Sequence, residues 1–336
     1  MKSIGGLFER LCDPAHLDEA VTRATRGKRR RPDVAWLLFC RESEVARLAH
    51  QLRTLTWHPG GFDLIRVRDP KPRVIARASI EDRVVHTALV QLIEPVFVRS
   101  LTDDTFACRR GMGTHRAVLR LLELVRRHPF ALHLDIRSYF PSIDLALLRG
   151  LIERRVRDPR FMEVIDRILR SGAGLHDAPS VRRYARIDPD WPPPGRGLPI
   201  GSLTSQLFAA HVYLSGLDHF VKRELHVPGY VRYVDDLFLF GPRRGELRGW
   251  RTAVARWLED ERGLRLKCPE ARVLSCGGHL NALGHRITRR GIEPLPRAFK
   301  RLKARVAKAC VPGGAGRKRV DVARSMASSV GGILFG

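Results

Sequence analysis

Acidic residues are scarce in this 336-residue chain: 35 Asp and Glu stand against 61 Lys and Arg, a formal net charge of +26. A deficit of that size points to a polyanionic partner, nucleic acid first, with an anionic membrane surface as the competing explanation. Long apolar runs are also lacking. No stretch reaches the roughly 18 near-uncharged apolar residues that a spanning helix needs. The opening, MKSIGGLFERLCDPAHLDEA, carries acids where a secretory signal would have its apolar core. The expectation is a cytoplasmic protein with no membrane partner. Cysteine is sparse and scattered (Cys12, Cys40, Cys108, Cys268, Cys276, Cys310) without a CxxC pair. That excludes a disulfide-stapled scaffold and predicts reduced, mostly buried thiols. Cys268, Cys276 and His279 come closest to a metal cluster, but the paired spacing is missing. What the chain does have is 44% hydrophobic residues, enough to bury a real core over about two domains or one larger domain with appendages.

Residues 1–31 read as a mixed opening that ends in the basic run Arg26–Arg31, closed by Pro32. Val45, Leu48, Leu52 and Leu55 at helical spacing predict an amphipathic helix over 41–55. Phe62–Arg68 and Arg73–Ala76 read as two short strands joined by the turn Asp69-Pro70-Lys71-Pro72, with a positive tip. Ser79 with Asp82 predicts a capped helix over 80–98, which Pro95 would kink or end. A basic loop, Arg109-Arg110-Gly111-Met112-Gly113, leads to a helix near 114–127. Ala131–Ile136 alternates as a half-buried strand does, Leu132, Leu134 and Ile136 on one face and His133 and Asp135 on the other. Residues 171–199 form a Gly/Pro/Arg-rich break, and a helix follows near 204–222. Tyr230–Val234 and Leu237–Phe240 flank Asp235-Asp236 as the arms of a hairpin, and a helix over 246–262 and two more short strand patterns follow. Residues 292–336 carry ten Lys and Arg against two acids. Within them, 297–310 reads as a docked helix with Phe299, Leu302, Val306 and Cys310 inward and Lys300, Lys303 and Lys308 largely outward. No internal repeat is visible, and the strand–helix mixture predicts α+β rather than a doubly wound sheet.

Two acidic points stand out in so basic a chain: Asp135 at a strand end and Asp235-Asp236 in a hairpin turn. An Asp-Asp pair in a turn is ordinarily just a turn dipeptide. Carboxylates gathered in a phosphate-binding cleft would repel the substrate unless a hard divalent cation lay between them. Two such ions ~3.5–4 Å apart stabilise the attacking and leaving oxygens of a phosphoryl displacement.

The flanking residues decide between these. Tyr233-Val234-Asp235-Asp236 between β-rich arms resembles the YxDD box of reverse transcriptases, and Leu134-Asp135-Ile136-Arg137-Ser138-Tyr139-Phe140-Pro141-Ser142-Ile143 resembles their first catalytic motif. Gly197–Phe208 is similar to their nucleotide-pocket motif, and Asp69–Phe97, with KPR…EDRVV, to their fingers block. Ala107–Gly111 resembles the next block, and Leu283-Gly284-His285-Arg286-Ile287 the primer grip. These motifs stand in the family's order over roughly residues 60–290. Ile200-Gly201-x-x-x-Ser205-Gln206 is similar to reverse transcriptases of diversity-generating retroelements, where retroviral and group II intron enzymes carry Gln at the place of Ile200 and Pro at that of Gln206. Retron, group II intron-like and antiviral-defence reverse transcriptases are the alternatives within the family, and a catalytically silent RNA-binding scaffold is the alternative outside it.

The resemblance implies a right-hand polymerase. The N-terminal region and fingers would be 1–80, the palm 81–291 with a fingers segment at about 145–196, and a short basic thumb 292–336. It implies two Mg²⁺ ions, with Mn²⁺ as substitute, held by Asp135, Asp235 and the Ile136 carbonyl, and Asp236 less directly. Lys71 and Arg73 would bind the incoming triphosphate, and Phe140 would exclude a 2′-hydroxyl. Ile200, Gly201 and Gln206 would lie at the nucleotide. Arg109, Arg110, Ser205, Lys300 and Lys303 would meet template or primer. Lys267 would do so too, or protonate the pyrophosphate leaving group. Ala282 stands where an aromatic is common in the primer grip. The implied partners are template RNA, primer and cDNA, deoxynucleotides and a small helical accessory oligomer. The resemblance further implies cDNA mutagenised at adenines. An apolar Ile200 offers the base no fixed polar contact to test, which is how it would contribute to misincorporation.

Overall fold

The computed structural model describes residues 5–68 and 71–309. The segment 310–336, including Cys310, and the turn residues Asp69 and Pro70 lie outside the described residues. The chain divides into two compact units.

The first unit comprises Met1–Thr102, Ile136–His219 and Ala255–Lys267. It opens with helices where the sequence suggested only a mixed segment: Leu7–Leu11, Pro14–Thr25 and Pro32–Phe39. The Asp13 side chain accepts from the Ala15 N–H, and Pro14 stands in the first turn, so the second of these starts on a cap and a proline together. Pro32 does not close the basic run into a loop; it begins a helix, where its missing N–H costs nothing. The helix Arg41–Arg53 buries Val45, Leu48 and Leu52 as its spacing predicted. β1 (Asp63–Val67) and β2 (Arg73–Arg77) form an antiparallel hairpin in which Val67 faces Arg73. The helix Ile80–Val98 is capped by Ser79 and runs through Pro95 rather than ending there. The expected helix near 204–222 is broken into short segments, Leu203–Leu207 and Ser215–His219, with wider π turns at Phe208–Tyr213 and Phe220–Glu224. Such bulges recur at functional sites.

The second unit comprises Asp103–Asp135, Phe220–Val254 and Cys268–Gly336. Its main sheet has the order β4 (Gly229–Tyr233), β5 (Asp236–Gly241), β3 (Phe130–Asp135) and β6 (Leu274–Ser275), with every pairing antiparallel. β7 (Leu280–Ala282), β8 (His285–Ile287) and β9 (Ile292–Pro294) make a second antiparallel sheet. The amphipathic helix Thr114–Arg127 turns Ala117, Val118, Leu121, Leu124 and Val125 into a core shared with Val231, Phe238, Phe240 and Ile287. In the helix Pro296–Ala309, Lys300 and Lys303 are exposed as expected, but Phe299 is 45% exposed instead of docked. The thiols also depart from expectation: of the five described, Cys12 and Cys276 are buried, Cys40 is half-buried, and Cys108 and Cys268 are exposed.

Candidate active site

The strand alternation places one acid and the hairpin places two more, and all three fall in the second unit. Leu132 and Leu134 are buried while His133 and Asp135 on the opposite face are half-buried, as a strand with one solvated face requires. β4 and β5 pair Tyr233 with Asp236, leaving Val234 and Asp235 as a two-residue hairpin loop. β3 and β5 in turn pair Asp135 with Asp236, so an acid on the strand end and an acid on the hairpin are direct cross-strand partners. Acids set opposite each other repel unless something compensates them. One compensation is visible: Asp236 Oδ1 lies 2.7 Å from His133 Nε2, and the His133 ring stacks on Phe238 at 4.4 Å.

The loop is strained. Val234 has φ +58, a left-handed conformation that a β-branched residue adopts only at a cost. Two-residue hairpins demand positive φ at that first loop position, which is why glycine or asparagine usually fills it. The surroundings hold the turn in place. Arg232 is 0% exposed, the bulkiest of the fully buried side chains, and its Nη1 donates to the Val234 carbonyl at 3.3 Å. Its backbone is clamped by Asp104 O, which accepts from the Arg232 N–H at 2.8 Å, and by the Phe106 N–H, which donates to Arg232 O at 3.1 Å. The Tyr233 hydroxyl bonds Thr114 Oγ1 at 2.8 Å. The sequence-based expectations passed over Arg232 and gave His133 no role. The signals were there: an arginine in an otherwise apolar and aromatic strand, and a histidine two residues from Asp135 on the same strand face.

The donor set at this strand end is carboxylate oxygen, with no thiolate, and that chemistry suits a hard divalent cation. The geometry is partial. Among the described residues, no three His, Cys, Asp or Glu side chains are gathered as a group that could hold a metal ion, and this applies equally to Cys268, Cys276 and His279. Arg109 and Arg110 belong to the same unit; Arg109 is half-buried at 4.0 Å from Asp103, and Arg110 is exposed.

The remaining expected residues lie in the first unit. Lys71 and Arg73 are exposed at the tip of the β1–β2 hairpin. Tyr139 is buried with its hydroxyl donating to Ala209 O at 2.6 Å, and half-buried Phe140 meets its ring edge-on at 5.8 Å. Phe140 O accepts from the Leu198 N–H at 2.9 Å, tying the first motif to the pocket motif. Ile136 forms an antiparallel bridge with Leu266, so exposed Lys267 follows directly on the partner of the residue after Asp135. Ile200 O accepts from the Ala76 N–H at 2.8 Å. Gly201, at φ +112, leaves space that Ile75 fills: an added Cβ would lie 2.7 Å from Ile75 Cγ2. The hairpin packed against it is thus one reason for its glycine. Ser205 is 2% exposed and lines a small cavity with His86 and Phe208.

Gln206 is exposed and lines a groove of about 520 Å³ with Gly201, Ser202, Ile65 and Ile75. Arg23, Lys28, Arg77 and Arg83 bring four cations to that groove against one acid, Glu94. Burial, and after it the charges of Arg83 and Arg31, pulls the Lys28 ammonium below its usual range. Burial, then Arg31, does the same to Arg83. Two of the four cations are already paired, Arg77 with Asp63 at 2.7 Å and Arg23 with Glu19 at 2.6 Å, and burial is the larger cause of the shifts in Lys28 and Arg83.

Comparison with known proteins follows the same motifs. The family profile "Reverse transcriptase (RNA-dependent DNA polymerase)" matches residues 65–269, more than half of the chain. The chain is 24% identical over 228 residues to the Escherichia coli protein YkfC, covering 63% of this chain and 52% of that protein. It is 22% identical over 183 residues to the group II intron-encoded protein LtrA of Lactococcus lactis, covering 54% of this chain and 28% of LtrA. The chain therefore spans about half or less of these curated relatives. Among solved structures, apo telomerase from Candida tropicalis superposes with a TM-score of 0.51 at 10% identity, over 73% of this chain and 50% of that one. That likeness concerns the fold, which is the right-hand polymerase fold with mixed helices and antiparallel sheet. The chain belongs to the reverse transcriptase family.

Proposed function

We propose that this protein is an RNA-directed DNA polymerase whose reacting centre is the strand-end acid Asp135 with the hairpin acids Asp235 and Asp236. The observation that carries the reading is the direct pairing of Asp135 with Asp236 beside the two-residue loop that presents Asp235. Asp135, Asp235 and the Ile136 carbonyl would hold divalent ions, two Mg²⁺ or Mn²⁺ in their place; Asp236, turned onto His133, would act less directly. When bound, such ions stabilise charge on the attacking and leaving oxygens. The chain's own residues bind and orient. Lys71 and Arg73 meet the triphosphate, where arginine's fork suits phosphate oxygens. Phe140 lies under the sugar and excludes a 2′-hydroxyl. Lys267 delivers a proton to the leaving group. The cationic groove beside Gly201 and Gln206, together with Arg109, Arg110, Lys300 and Lys303, carries template and primer backbone. In this reading the fingers, palm and thumb follow the boundaries expected from the motifs.

The finer assignment is to a diversity-generating retroelement, with cDNA mutagenised at adenines and an accessory helical oligomer as partner. Ile200 supports it, because an apolar side chain there makes no polar test of the base. Ile200→Gln should lower the error frequency on RNA; an unchanged error spectrum removes this assignment. The intron-encoded relative favours a second reading, an intron-like enzyme acting on another template. The primary test is primer extension by the purified chain on a primed RNA template with Mg²⁺ and deoxynucleotides. Extension with dNTPs and none with NTPs is expected. RNA binding without extension on any primed RNA would favour the silent scaffold.

A further inference from the structure

The first unit carries an aromatic pair that its own core does not use. In the helix Pro32–Phe39, Val34 is 0% and Leu37 2% exposed, so one face is anchored. On the outward face, Trp36 is 65% and Phe39 83% exposed. They stand one turn apart with ring centroids at 6.0 Å and planes inclined by 34°, which makes one near-continuous aromatic surface. The run leading into this helix is basic. Arg26, Arg29 and Arg30 are exposed, and only Arg31 is drawn onto Asp33, Nε to Oδ1 at 3.0 Å.

We infer that Trp36 and Phe39 form a stacking platform for unpaired RNA bases, with the phosphates of the same strand lying along Arg26–Arg30. Every base has a π face, so two adjacent rings bind a flexible single strand without reading its sequence, and flanking cations hold its backbone. Charge points to RNA: exposed Arg26, Arg29 and Arg30 beside the rings belong to a chain of net charge +26, and a phosphate backbone neutralises such a run. This platform lies outside the residues that match the family profile. It would grip RNA whether or not the reacting centre makes DNA.

The test is binding, measured without nucleotide or metal, of a labelled oligouridine of about 12 nucleotides and of an abasic strand of equal length and charge. The wild-type chain should bind the uridine strand more tightly. Trp36→Ala and Phe39→Ala should each lower uridine affinity roughly tenfold and the pair by more, down to the level of the abasic strand. The salt slope should hold, because phosphate contacts are kept, and Arg29→Ala with Arg30→Ala should flatten it instead. Trp36→Phe with Phe39→Tyr should restore affinity. A 4-thiouridine strand should crosslink to the peptide bearing these two rings. Both residues are exposed, so the variants should keep the wild-type unfolding transition. Equal binding of uridine and abasic strands, or a double alanine variant that binds and crosslinks as wild type does, would overturn the inference; the latter would leave the rings as a protein-docking surface.

Discussion

Gly201→Ala puts a methyl group into space the β1–β2 hairpin already fills, and its cost divides into two separable parts. The residue sits at φ +112, which an L side chain rarely adopts, and that strain is worth about 1–2 kcal/mol. The new Cβ would also lie 2.7 Å from Ile75 Cγ2 and 3.3 Å from Ala76 O. Overpacking of that kind costs about 1–3 kcal/mol. Part of it must fall on backbone, since Ile200 O and the Ala76 N–H are tied at 2.8 Å. The first unit should therefore lose roughly 2–5 kcal/mol in Gly201→Ala. Ile75→Ala removes the contacting methyl, so the double variant should recover about 1–3 kcal/mol relative to simple addition of the single costs. Urea unfolding followed by circular dichroism gives the cycle, with the transition of this unit read separately should the two units unfold in turn. Strict additivity, or wild-type stability for Gly201→Ala, would refute the steric account.

Arg232→Met should slow primer extension and destabilise the second unit by roughly 1.5–3 kcal/mol, because the guanidinium holding Val234 O is lost. Arg232→Lys should recover only part of the rate, and a rate equal to wild type in either variant would detach Arg232 from the turn. His86 supplies a pH prediction: its ring is 2% exposed, burial lowers its pKa from 6.5 to about 4, and its Nε2 has no partner among the described residues. The unfolded chain takes up the proton first, so stability should fall as pH drops from about 6.5 toward 4, by roughly 3 kcal/mol for this group. His86→Asn, measured by thermal unfolding across that window, should flatten the dependence; an unchanged slope would assign it to other groups.

The positions of the three acids were legible because the local period is short, and the family resemblance alone gave them a role. Alternation in residues 131–136 put Asp135 on the half-buried face, and a two-residue gap between β-rich arms put Asp235 in a turn. The opening helices Pro14–Thr25 and Pro32–Phe39 were missed although their signals, Asp13-Pro14 and Pro32, were in view; a proline after a charge run reads as a stop or as a start until packing decides. Two short strand patterns were expected between the helix 246–262 and residue 292, where the structure has three, β6, β7 and β8; two or three residues each are too few for a period to fix their number and bounds. Burial of Ser205 and exposure of Phe299 depend on what packs beside them, which local spacing does not contain. Arg232 is the clearest such case. Its apolar and aromatic neighbours hinted at burial, but an arginine by its own chemistry reads as surface, and the folded hairpin is what turns it inward beneath the loop.

The central claim is that Asp135 and Asp235 act together on the nucleotide while other residues hold the RNA. Asp135→Asn and Asp235→Asn each keep the shape and remove one charge. Primer extension on RNA should drop by roughly a thousandfold or more in either variant, a loss of about 4 kcal/mol of transition-state stabilisation. RNA affinity measured in parallel should stay within about twofold, since phosphate contacts and not these acids carry it. Extension at the wild-type rate by either variant would contradict the account.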